Sequence, residues 1–132
     1  MSKRKPKRAE VEDDSDLIKD EKGLYKVRVS VSQIQDRDET GDFKVVGGVK
    51  GKGGCPFGHK VGDVFDWPED RGKICVHVLH TIYPLSKVMR YGGVYPPTLY
   101  PGLKDPDARY RACADPWNEV IFKVERVKKS AK

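Results

Sequence analysis

Apolar and polar residues alternate through residues 24–34, with Val27, Val29 and Val31 on one face and Lys26, Arg28 and Ser30 on the other. A period of two is that of a half-buried β-strand. Residues 119–127 alternate in the same way, placing Val120, Phe122 and Val124 on one side, so a last strand can return to pair with the first. Residues 61–67 form a second strand candidate, approached through the turn-like Gly58, His59, Lys60, Gly62 and Asp63 and stopped at Pro68. Between residues 73 and 91 the spacing changes. Ile74, Val78, Ile82, Leu85 and Met89, with Cys75 and Leu79 beside them, recur at helical intervals. Pro84 should kink or split this helix, and Gly92 with Gly93 should end it.

The remaining stretches carry no such rhythm. Residues 36–54 mix charge with glycines at 41, 47, 48, 51, 53 and 54, which favour a mobile loop, around a short apolar piece at residues 43–46 that could form a hairpin or an edge strand. Residues 94–116 are punctuated by Pro96, Pro97, Pro101, Pro106 and Pro116 and read as one long loop. The simplest arrangement that buries both apolar faces is α+β, a small, mostly antiparallel sheet covered by one main helix. The expected layout is a charged tail over residues 1–22, a single domain over 23–127 with the glycine-rich insertion at 36–54, and a basic tail at 128–132.

Composition refines this picture. Hydrophobic residues make up 37% and charged residues 35% of the 132, which suits an ordered domain accompanied by solvated segments. The net charge of +6 comes from the ends: Lys3, Arg4, Lys5, Lys7 and Arg8 at one, Glu125 to Lys132 at the other, leaving the span between them slightly negative. Charge count therefore gives a nucleic-acid-binding face on the folded part little support, although the tails could meet nucleic acid. No run approaches the length of a membrane span, and the basic start is followed by no apolar segment of the kind that directs secretion. A cytoplasmic location is expected, where three cysteines, an odd number, serve better as thiols, metal ligands or redox groups than as a disulfide framework.

Cys55 and His59 are separated by three residues that include Pro56 and Gly58, a spacing that lets one loop turn a thiolate and an imidazole toward the same ion. Cys75 is expected in the first helical turn, where unpaired N–H groups and the positive end of the helix dipole favour an anion. Cys113 falls in a turn that strand pairing can bring nearby. Together they make a candidate Cys3His set, suited to zinc first and iron next, or to thiol-redox chemistry. The competing reading is three buried thiols packed as small hydrophobes. His77 and His80 lie off or at the border of the apolar helix face and would serve as an extra ligand or acid-base group only under a covering loop. Asp63 reads as a turn cap. No Ser/His/Asp spacing, phosphate loop or dinucleotide fingerprint is present, so an enzyme is the less expected class.

The run Cys55-Pro56-Phe57-Gly58-His59-Lys60-Val61-Gly62-Asp63, then Gly72-Lys73-Ile74-Cys75, then Cys113-Ala114-Asp115-Pro116, resembles a family of small bacterial and archaeal proteins of uncharacterised activity. The resemblance spans residues 24–127 and excludes both tails and the insertion at 36–54. It implies that Cys55, Cys75 and Cys113 act as a set, so their sulfurs are expected close together. Where the family pattern has a proline and an aromatic residue after the second cysteine, this chain has Val76 and His77.

Two interaction signals lie outside the cysteine set. The five positive charges at Lys3, Arg4, Lys5, Lys7 and Arg8 attract phosphates or acidic proteins without needing a fold. Tyr95 and Tyr100, in the proline-rich loop, belong to residue types favoured at interfaces. The expected function is a non-catalytic accessory domain with a Cys3His or thiol-redox site; the alternative is a subunit docked by its tails and its Pro/Tyr loop onto a larger protein or ribonucleoprotein complex.

Overall fold

The computed structural model describes residues 15–94 and 105–129. The two alternating segments are its central strands, β1 (Val27–Gln35) and, last in the chain, β6 (Glu119–Arg126), paired antiparallel. Between them come β2 (Val45–Val46), β3 (Val49–Lys50), β4 (Val64–Trp67), helix α1 (Val76–Arg90) and β5 (Ala108–Ala112). The main sheet is four-stranded in the order β4-β1-β6-β5, every neighbour antiparallel, and β2 with β3 forms a separate two-stranded hairpin. With α1 against one face, the fold is α+β. No helix among the described residues is long and apolar enough to cross a membrane.

The core is the inward row of each strand facing the apolar stripe of the helix. Val27, Val29 and Val31 of β1, Val120, Phe122 and Val124 of β6, and Phe65 and Trp67 of β4 are all buried against Val78, Ile82, Leu85 and Met89. The inward row of β1 should pass from Val31 to residue 33, yet Ile34 is the residue that packs on the core. A register shift between Val31 and Gln33 supplies the extra residue of a β-bulge and sets Ile34 opposite Val120.

Three expectations are corrected. The helix is not split at Pro84, and its start is later than expected: residues 71–73 form a separate 3-10 turn and Cys75 is the N-cap. The long loop expected over 94–116 contains β5. Its five residues, ARYRA, alternate Ala and Tyr with Arg, but burial does not follow that alternation, since Ala108 and Arg109 are the buried pair; backbone pairing to β6 from Ala108↔Glu125 to Ala112↔Ile121 makes it a strand. Of the readings open for the glycine-rich insertion, the hairpin replaces the loop, turned at Gly47 and Gly48, whose φ of 59° and 80° suit a two-residue turn that side chains would strain.

The N-terminal residues that are described do more than expected of a tail. Leu17 is buried at 2% exposure, the Ile18 N–H donates to Val127 O at 2.9 Å, and Leu17 bridges Lys128. Asp20 accepts from Arg90 Nη2 at 2.7 Å.

Arg126, 1% exposed, takes the next inward place on β6 after Val124. Its Nη1 donates to Met89 O at 2.8 Å and Gly93 O at 2.9 Å, at the carbonyl end of α1. Its Nε donates to Asp107 Oδ1 at 2.8 Å and its Nη2 to Pro106 O at 3.2 Å, just before β5. One buried cation thus neutralises the negative end of the helix dipole and fixes the start of an edge strand.

Arg126→Met should lower the unfolding free energy in urea by about 3–5 kcal/mol, because Asp107 and three carbonyls lose a buried donor. Leu17→Ala should cost about 2–5 kcal/mol in the same measurement, as for a core leucine. A solvated tail residue would leave the midpoint unchanged.

Candidate functional site

At the α1 N-terminal end of the core lies a cavity of about 1000 Å³ whose lining includes Cys55, His59, Cys75 and Cys113. Those residues arrive on separate elements, each held by its own local chemistry. Residues 55–58 turn tightly, with the Gly58 N–H donating to Cys55 O at 2.9 Å and Gly58 at a φ of 101°. A second turn follows, in which Asp63 Oδ2 accepts the Lys60 N–H at 2.9 Å; this is the capping role expected for Asp63. Backbone bonds from Gly62 N–H to Val31 O and from Val31 N–H to Asp63 O then tie the loop to β1.

His59 is 5% exposed and enclosed by rings: Phe57 at 4.8 Å, Phe65 at 5.4 Å and Phe122 at 5.3 Å between centroids, the last two edge-on. Its Nε2 accepts the backbone N–H of Cys75 at 3.1 Å, which places the ring proton on Nδ1. Burial pushes the imidazole below its ordinary 6.5, against a smaller opposing pull from the Asp63 carboxylate. The neutral ring is therefore a buried acceptor that couples the Cys55 loop to the head of α1.

Cys75 caps a 15-residue helix whose first turn holds no acidic residue, and its side chain makes no capping hydrogen bond. Cys113 closes the loop between β5 and β6. Its Sγ accepts the Val120 N–H at 3.1 Å and donates to Asn118 O at 3.7 Å, while Asp115 Oδ1 accepts the N–H groups of Trp117 and Asn118. All three cysteines are free and partly buried against the core. Among the described residues neither Cys55 nor Cys75 has a hydrogen bond to its sulfur.

The insertion supplies the opposite wall. Trp117 Nε1 donates to Val49 O at 2.8 Å, docking the β2–β3 hairpin beside the Cys113 loop. A Cβ at Gly51 would stand 3.2 Å from the Trp117 side chain, so this close approach uses the missing side chain. Lys50 and Lys52 join the lining from this side, and His77 from α1.

The structure thus brings together Cys55, His59, Cys75, Cys113 and His77. His80 is exposed and lies outside the lining. Lys3, Arg4, Lys5, Lys7, Arg8, Tyr95 and Tyr100 lie outside the described residues. Lys50, Lys52, Trp117 and Asn118 carry no pattern that singles them out. The Asp-Pro-Trp-Asn run after Cys113 was the available signal for the loop that holds it.

A closed Cys3His shell is not preformed. Among the described residues no group of three or more His, Cys, Asp or Glu side chains is arranged to hold a metal ion. The His59 Nε2 is occupied by the Cys75 amide, and the Cys113 sulfur is engaged on both sides. The arrangement as it stands offers two unbonded thiols in an apolar cavity, with a neutral imidazole fixing one of them by its backbone.

The sign of the pH dependence follows from His59. Its folded value lies below 6.5, so the stability gained by keeping the ring neutral is fully present above 6.5. That stability is lost as pH falls through the folded value, where protonation also removes the acceptor for the Cys75 N–H. Urea midpoints should fall as pH is lowered from about 7 to about 5, and His59→Gln should flatten the slope in that window. An unchanged slope in the variant would show that the ring does not titrate in a coupled way.

No family model matches the chain, and no match was found among the curated proteins or the solved structures.

Proposed function

We propose that the protein is a small non-catalytic accessory domain that captures a thiophilic ligand in this cavity, with Cys55 and Cys75 as the available thiols and Cys113 as a third, structurally engaged one. The observation that supports it is convergence: residues 55, 59, 75 and 113 line a single cavity rather than scattering through the core. Three thiols used only as small hydrophobes have no need of a common opening. The volume lies at the upper end of small-molecule sites, whose walls are apolar with a few placed polar groups. Zinc or iron suits the same donors, but binding through His59 Nε2 requires that nitrogen to release the Cys75 amide.

Val49 and Phe57, 58% and 54% exposed beside this cavity, favour a protein surface covering its mouth, in keeping with an accessory role.

In the reduced native protein, iodoacetamide should modify Cys55 and Cys75 faster than Cys113 by about fivefold or more, the equivalent of one net hydrogen bond of about 1 kcal/mol at the Cys113 sulfur. Peptide mapping after timed quenches gives the three rates, and repeating it with equimolar zinc or ferrous ion tests metal capture. Equal, slow labelling of all three with and without metal would establish packed core thiols and end this reading.

A further inference from the structure

We propose that the ligand class of this cavity is an anionic low-molecular-weight disulfide, a small organic disulfide bearing carboxylates, and that Cys75 forms a mixed disulfide with it. The proposal rests on the thiols being the working groups of the site.

Size and wall chemistry set the first limit. A cavity of about 1000 Å³ is far larger than a single ion needs and holds an organic molecule of many heavy atoms. Phe57, Trp117 and Phe122 make its surface apolar, which suits a carbon and sulfur body.

Charge sets the second. Lys50 at the end of β3 and Lys52 just beyond it line the cavity, are exposed, and have no ion-pair partner among the described residues. The acidic side chain sharing the lining, Asp115, uses Oδ1 to hold the N–H groups of Trp117 and Asn118 in its own turn. The head of α1 adds the positive end of a 15-residue helix with no acidic residue in its first turn. A rim of this sign draws carboxylates and repels cations.

The choice of nucleophile comes from hydrogen bonding. The Cys113 sulfur both accepts and donates, so attack through it breaks two contacts. The sulfurs of Cys55 and Cys75 have none among the described residues, and Cys75 is preferred because it is the N-cap of α1, beside the positive helix end that draws an anionic ligand. Its backbone is held by His59 Nε2 at 3.1 Å, so the thiol is presented from a fixed point.

The exchange balances. Cys75 loses its proton to solvent, and the thiolate attacks one sulfur of the bound disulfide. The new Sγ–S bond forms as the ligand S–S bond breaks, and the second ligand sulfur departs with the electron pair as a thiolate that takes up a proton. The cysteine is oxidised, the leaving sulfur is reduced, and no further oxidant is consumed.

The test uses the full reduced chain with glutathione disulfide, hydroxyethyl disulfide and cystamine, which are anionic, neutral and cationic. Each rate is divided by that of the same disulfide with the urea-unfolded chain, which cancels leaving-group chemistry. At low ionic strength the folded-to-unfolded ratio for glutathione disulfide should exceed that for cystamine by about tenfold, with hydroxyethyl disulfide between them. Salt, or the Lys50→Glu and Lys52→Glu double variant, should erase the ordering, and intact mass with peptide mapping should place the adduct on Cys75. Equal ratios for all three disulfides would overturn the anionic ligand class. An adduct confined to Cys55 or Cys113 would overturn the assignment of Cys75, and wild-type mapping decides this even if a Cys75→Ser variant fails to fold. Absence of any adduct in the folded chain would instead overturn the thiol reading of the cavity itself.

Discussion

The inward row of β6, Val120, Phe122, Val124 and Arg126, holds helix α1 at both of its ends. At one end the edge of the Phe122 ring is met by His59, and His59 accepts the amide of Cys75, the helix N-cap. At the other, Arg126 donates to Met89 O and Gly93 O. Between these polar attachments lies Val124, which need only fill space. β6 can bear this role because it is central, paired with β1 on one side and β5 on the other, so its own backbone is fixed by neighbours rather than by the helix it supports. The cavity follows from the same geometry, since the strand's Val120 end also receives the Cys113 loop through the Val120 N–H.

Burying His59 and Arg126 carries a desolvation cost that apolar residues would avoid. The two are handled differently. Arg126 keeps its charge and has carboxylate and carbonyl partners. Burial pushes the His59 pKa down, so the ring gives up its charge and spends its lone pair on a single amide. An apolar residue at either place would fill the volume but would leave the helix ends without a specified partner. Polar attachment at the two ends defines the position of α1 along its axis, which apolar stripes alone define weakly, because a shift of one turn still presents apolar residues to the sheet.

Much of the sheet and helix was legible because burial there is one-sided. The alternations in β1 and β6 and the helical stripe from Val78 to Met89 record which face meets the core. The bulge after Val31 was hidden, since it is defined by the register of two strands distant in sequence. β5 was hidden for a related reason: its alternation of Ala and Tyr with Arg is only five residues long and does not match its burial, so pairing to β6 is what defines this edge strand. The docking of Leu17 was missed because a single apolar residue among charges has no period. In the site, Cys55, His59 and Asp63 were legible from turn chemistry, and Cys75 from its nearness to the helix start. The wall was not, because glycines signal conformational freedom and do not say which surface they approach.

That wall shows how a glycine-rich insertion can become part of a site. Its hairpin buries little of its own, with Val45 and Val49 both 58% exposed, so its position must be set from outside. Backbone pairing of residues 36–37 with 43–44 anchors its base, and two further contacts aim it. Asp36 Oδ2 accepts the Gly54 N–H at 2.9 Å at its base, and Trp117 Nε1 reaches Val49 O near its tip. The Trp117 contact depends on Asp115, whose carboxylate holds the backbone of the same turn, and that turn also carries the Cys113 sulfur. Hairpin position and thiol position are therefore linked through one six-residue loop. A change that loosens the Asp115 turn would displace both, which places the loop between β5 and β6 at the junction of the cavity's thiols and its cationic rim.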